Sequence, residues 1–207
     1  GSDLCITPVS APENHYVRIK ADNRLDADGT LRGTFTLTAE GQSDSNIRRI
    51  FTTGFRSEWK NTMESQLLAI SPKAKLLSVD YGKNPKDYQA APIKITFRYE
   101  IPDYALKGEK EMFFRPLVMN NLYNQVRSYL RIDTSLKERK YGFKDGCSRL
   151  VELDETIQLP AGYKLANADK NETMQGTAAD FEGSLAQQGN KVLLHNKLAL
   201  KKRVYEA

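Results

Sequence analysis

The stretch SDSNIRRIFTTGFRSEWKNTMESQLLAI, residues 43–70, decides how the rest of the chain is read. Ile47, Phe51, Phe55, Trp59, Met63 and Leu67 recur every four residues, with Ile50 and Ile70 on the flank. That period predicts one amphipathic helix laying an apolar stripe on a core. At ~1.5 Å per residue it would run about 40 Å, enough to cross a domain. Ser43, Asp44 and Ser45 offer a capping hydroxyl and a carboxylate at the positive helix end. Pro72 stops the pattern. Gly54 interrupts it, at about 1 kcal/mol against alanine, and leaves a bend or a split open.

Working outward, nearly everything else reads as strand. Upstream, Val17, Ile19, Ala21 and Leu25 lead into Asp26-Ala27-Asp28-Gly29, and Leu31, Gly33, Phe35, Leu37 and Ala39 then alternate with polar residues. Asp-Gly between two such runs is a strong hairpin signal, because both turn positions of the tightest hairpins take positive φ. Downstream, residues 74–81 read as a strand, and Ile93, Ile95, Phe97, Tyr99 and Ile101 alternate cleanly with Lys94, Thr96, Arg98 and Glu100. Further strands are expected at 111–118, 137–143, 149–159 and 163–166, with a hairpin at 180–187 and 191–196 around Gly189-Asn190 and a closing strand at 198–205. Residues 119–135 read as a short helix or irregular crossover, and 167–177 as a mobile loop. The expectation is a mainly β (α+β) fold: an antiparallel β-sandwich of about ten strands with one long amphipathic helix packed on a sheet. Residues 1–15, with Pro8 and Pro12, read as a lead-in or linker, and 16–207 as a single domain.

Charge and composition remove whole classes of function. The net charge of +5 comes from 31 basic and 26 acidic side chains. Its only runs, residues 137–140 and 201–203, each have an acidic neighbour and suit solvated strand faces, so nucleic acid is not an expected partner. No apolar run approaches the ~18 residues of a membrane span. No signal peptide is visible, and Gly1-Ser2 reads as a cloning boundary, so this says little about the native compartment. A bridge between the two cysteines, Cys5 and Cys147, would close a very long loop and add about 5 kcal/mol in the chain-entropy picture; two independent thiols are the alternative.

The residues that carry chemistry are scattered. A cysteine nucleophile needs a histidine base, and only His15 and His195 are available, but nothing places Cys5 or Cys147 at a helix start. The segment Arg24–Gly29 fails as a calcium loop, since Arg24 and Phe35 fall at its first and twelfth positions. Two histidines so far apart do not suggest zinc, and no metal or cofactor is expected. Glu152 and Asp154 fall on the polar face of a strand, which leaves a carboxylate hydrolase as a minor reading. Tyr81, Tyr88, Tyr99, Tyr104, Phe113 and Phe114 are expected mostly in the core; Tyr88 and Tyr104, in loops, are the candidates for binding a ligand or partner.

Several segments together resemble one family. They are residues 24–51 (RLDADGTLRGTFTLTAEGQSDSNIRRIF), 57–61 (SEWKN), 79–106 (VDYGKNPKDYQAAPIKITFRYEIPDYAL), 134–141 (TSLKERKY), 147–165 (CSRLVELDETIQLPAGYKL) and 202–207 (KRVYEA). The run is similar to the C-terminal domain of unknown function of bacterial transglutaminase-like proteins from gut-associated Gram-negative anaerobes. The resemblance implies a β-rich, non-catalytic domain following a transglutaminase core that holds the catalytic residues. It also implies a periplasmic, cell-surface or secreted parent. The function expected is an accessory module that docks on that upstream core or holds a protein or polysaccharide near it. The alternative is a carbohydrate- or peptide-binding β-sandwich acting independently.

Overall fold

The computed structural model describes residues 8–90, 92–119, 138 and 140–206. Its strands are β1 (Tyr16–Leu25), β2 (Leu31–Ala39), β3 (Lys75–Asp80), β4 (Ile93–Ile101), β5 (Leu106–Lys107), β6 (Met112–Phe113), β7 (Phe143–Lys144), β8 (Arg149–Gln158), β9 (Lys170–Gln175), β10 (Ala179–Gln188), β11 (Lys191–Leu200) and β12 (Val204–Tyr205). Alternation sets the faces. In β1, Val17, Ile19, Ala21, Asn23 and Leu25 are buried while Arg18, Lys20, Asp22 and Arg24 are exposed. The β1–β2 hairpin forms as expected, from Val17 opposite Ala39 to Leu25 opposite Leu31. Its turn is looser than the two-residue kind: Gly29 N donates to Asp26 O, and Gly29 (φ +88°) takes positive φ while Asp28 does not.

Eight strands make one sheet in the order β3-β4-β2-β1-β8-β11-β10-β9. All neighbours are antiparallel except β1 and β8, which run parallel at its centre from Tyr16 opposite Leu150 to Arg24 opposite Gln158. Two further pairs, β12 with β7 and β5 with β6, have two strands each. The sheet is therefore mixed, and the two packed antiparallel sheets of a sandwich are not what the described residues form. On one half of its apolar face, helices occupy the place of a second sheet.

The single long helix is also replaced. Residues 43–70 fold into α1 (Gly41–Thr52) and α2 (Trp59–Ile70), each of 12 residues, joined through a 3₁₀ turn at Arg56–Glu58. The break has a local cause. Thr52 and Thr53 both turn their hydroxyls back onto Arg49 O, Gly54 follows, and Phe55 adopts extended backbone with its N donating to Glu58 Oε2. Phe55 is the one stripe residue that pays no packing role: it is 76% exposed, while Ile47, Phe51, Trp59, Met63 and Leu67 are buried. The cap differs as well, since α1 starts at Gly41. Ser43 Oγ donates to His15 O, and the Asp44 carboxylate accepts from Ile93 N and Arg48 Nε.

α1 packs over β1, β2 and β4, and α2 against β3. Phe35, Leu37, Ile95 and Phe97 of the sheet meet Ile47, Phe51, Met63 and Leu67 of the helices around a residual cavity of about 70 Å³. Arg48, only 2% exposed, reaches from α1 to the carbonyls of Pro85 (3.1 Å) and Asp87 (2.8 Å), pinning the loop after β3. Such a buried cation is tolerated because its donors are met by a carboxylate and carbonyls.

Two more expectations change. Residues 163–166 are not a strand, whereas Lys170–Gln175, read as loop, forms β9. The expected crossover at 119–135 lies outside the described residues, save for Met119. Part of the lead-in is folded: Pro12–His15 is a 3₁₀ turn packed on α1 and β8, and Ser148 Oγ donates to Ser10 O.

Candidate functional site

Along β8, β11 and β10 the apolar face of the sheet continues past the helices. In register it carries Val151, Leu153, Glu155 and Ile157, then Leu198, Asn196, Leu194 and Val192, then Phe181, Gly183 and Leu185. Toward that end Leu185, Leu194, Leu198 and Phe181 are only half-buried. Residues 110–114, Pro116 and residues 162–166 wall off a groove of about 530 Å³ over Leu185 and Leu194. Leu25, Ile157, Leu159, Val192 and Leu194 line it, with Met112, Phe114, Tyr163 and Leu165. A second, more open hollow of about 590 Å³ adjoins it, shares Leu185 and Leu194, and is lined also by Met119 and Phe181. At the β5–β6 pair beside the groove, Leu106 and Phe113 sit directly opposite each other, 73% and 61% exposed. A concavity of several hundred Å³ with mostly apolar walls has the character of a binding groove.

One edge of this region is pinned by a buried polar cluster. Glu155 Oε1 accepts from Asn23 Nδ2 (2.8 Å) and Leu117 N (3.0 Å), and Oε2 accepts from Val118 N (2.9 Å). Tyr99 Oη donates to Asn23 Oδ1. Gly33, in register between Asn23 and Tyr99, makes this possible: a Cβ there would lie 2.1 Å from Asn23 Oδ1. Burial raises the Glu155 pKa above the ordinary carboxylate range in spite of these three N–H donors.

The opposite face is polar. There Asp154 and His195 are register partners, with His195 Nδ1 and Asp154 Oδ1 2.7 Å apart. Glu152 projects beside them, two residues earlier on β8, and accepts from Arg18 Nε at 2.7 Å. Donor atoms of Glu152, Asp154 and His195 all lie within 4.8 Å of one another, a set with the composition of a metal site. Sequence spacing could not have found it, because the β8–β11 register alone brings His195 to Asp154. Neither carboxylate lines the grooves described above.

The remaining sequence candidates lie apart from the groove. Tyr88 is 54% exposed on the loop after β3, with the Arg48 guanidinium 5.9 Å from its ring. Tyr104 packs on the core and its hydroxyl donates to Arg115 O; burial pushes its pKa up. Cys5 lies outside the described residues, and with it the Cys5–Cys147 pairing. Cys147 is a buried free thiol whose pKa burial raises, which disfavours the thiolate a nucleophile needs. No hydrogen bond joins it to a described histidine; His15 Nδ1 instead accepts from Gln42 N at 3.2 Å. The exposed rings Phe55, Tyr88, Phe113 and Tyr141 sit on four separate segments.

A family model described as a domain of unknown function with solved structure (DUF3858) matches residues 110–207, just under half of the chain. No curated protein and no solved structure matches. The matched stretch runs from β6 to the C-terminus and so contains β8–β11 and most of the groove lining.

Proposed function

We propose that this chain is a non-catalytic interaction domain whose apolar groove over β8, β11 and β10 docks on another polypeptide. The observation that carries the reading is the half-buried strip of Leu185 and Leu194 under a groove of about 530 Å³. Burying such a strip returns ~25 cal/mol per Å² of apolar surface, so a sheet that leaves it open gains by acquiring a partner. The partner is the transglutaminase-like core expected upstream in the same protein, which would place the domain in the periplasm or at the cell surface. A docked accessory domain needs no reactive groups of its own, which agrees with the buried thiol of Cys147 and the structural use of Tyr104.

The test is titration of the domain against the separately expressed upstream core, followed by calorimetry. Association is expected, with a negative heat-capacity change from apolar burial, and Leu194→Ser is expected to weaken it at least tenfold. No association even when the two are tethered would overturn the reading. Binding to a glycan array, undiminished by Leu194→Ser, would favour an independent carbohydrate-binding module instead.

A further inference from the structure

We propose that Glu152, Asp154 and His195 form a divalent-cation site on the polar face of the sheet, matched best by Zn²⁺. The placement is dictated by the ladder. Glu152 and Asp154, two apart on β8, share a face, and antiparallel pairing sets His195 of β11 opposite Asp154. β8 is paired on both sides, by β1 and β11, and β11 by β8 and β10, so the backbone under all three donors is held rigidly.

Donor type selects the ion. One imidazole nitrogen with two carboxylate oxygens is a borderline set that suits zinc better than the all-oxygen shells of calcium or magnesium. Zinc takes such ligands at ~2.0–2.2 Å, which asks for donors roughly 3–3.5 Å apart. His195 Nδ1 and Asp154 Oδ1, hydrogen-bonded at 2.7 Å, would give up the shared proton and part by several tenths of an ångström to admit the ion, and the 4.8 Å span of the set closes by rotation of the partly exposed Glu152 side chain. Arg18 holds Glu152 through Oε2, the kind of outer partner that orients a ligating carboxylate. Lys20 and Lys197, in register with Asp154 and Glu152, oppose a dication and set a limit on its affinity. Three protein donors leave the remaining positions to water or to an external ligand.

Zinc chloride titrated calorimetrically into the full chain tests this, with ¹⁵N NMR of the histidine ring nitrogens as a second readout. The expected result is one ion per chain and a perturbed His195 Nδ1, with His195→Gln and Glu152→Gln each weakening binding at least tenfold. Lys197→Gln should tighten it about threefold by removing a like charge. His15→Gln and Cys147→Ser should leave it unchanged. All these positions except Cys147 are partly exposed, and circular dichroism checks that each variant is folded. No zinc-dependent heat, or binding that survives His195→Gln, overturns the proposal.

Discussion

The two halves of the sheet's apolar face are built from the same kind of strand and finished differently. Over β3, β4 and β2 the face is sealed by α1 and α2: Phe51 and Ile101 are 0% exposed and Phe35 4%. Over β11 and β10 the equivalent row, Leu194, Leu198 and Leu185, is left half-buried, with a groove over Leu185 and Leu194. The family match falls on the open half, while both helices lie outside it. The sealed half has its apolar row covered by helices, and the open half keeps part of that row in reach of solvent.

The largest test of that contrast is a pair of truncations. Phe51→Ala, in the sealed half beside Trp59 and Tyr81, is expected to cost about 3–5 kcal/mol. Leu194→Ala, in the open half, should cost about 1 kcal/mol, because much of the side chain is already in contact with water. Urea denaturation of both variants measures the gap; equal losses would erase the distinction.

A middle-sized effect concerns Glu155, where the halves join. Its folded-state pKa is raised, so the native state holds the proton more tightly than the unfolded chain. The stability this contributes is fully present below the ordinary carboxylate value of 4.5 and is lost as pH rises through the elevated folded value. Glu155→Gln stays neutral throughout and removes that decline. Wild type should therefore lose stability relative to the variant as pH rises above 4.5, read from urea midpoints at each pH. The opposite slope would mean that the N–H groups of Leu117 and Val118 and the Asn23 amide outweigh burial.

The smallest effect is expected at Trp59, the only tryptophan. Its indole Nε1 is buried without a hydrogen-bond partner among the described residues. Trp59→Phe therefore forfeits ring contacts and no hydrogen bond, and the loss should stay near 1 kcal/mol by thermal melting. A loss of several kcal/mol would point to an ordered water on the indole, shared with the equally unpartnered Tyr81 hydroxyl.

Much of this was legible residue by residue. Alternation marked β1, β2, β4 and β8, and Gly189-Asn190 marked the β10–β11 hairpin, because a half-buried strand writes its faces into its composition. β9 was unreadable for the same reason: all six of its residues are exposed, so KNETMQ has no apolar phase. The helix stripe was right about Ile47, Phe51, Trp59, Met63 and Leu67 and wrong about Phe55, since periodicity does not register hydroxyls that turn back on the backbone. Neighbour relations were out of reach. Alternation says which side chains share a face, but not that β8 lies beside β1, and that pairing made a single mixed sheet where two antiparallel ones were expected. The His195–Asp154 contact was hidden by the same limit, as was the groove, whose walls come from residues far apart in the chain.

The parallel β1–β8 ladder also sets a schedule. β1 begins at Tyr16, yet the strand that completes its outer edge begins at Arg149, so the early hairpin keeps an unsatisfied flank until synthesis has passed Gln158. Closing so distant a contact is slow, and every construction step before it leaves a template for mispairing. A fragment cut to residues 110–207 would keep β8 but lack the β1 that pairs with it, leaving that edge open to another chain.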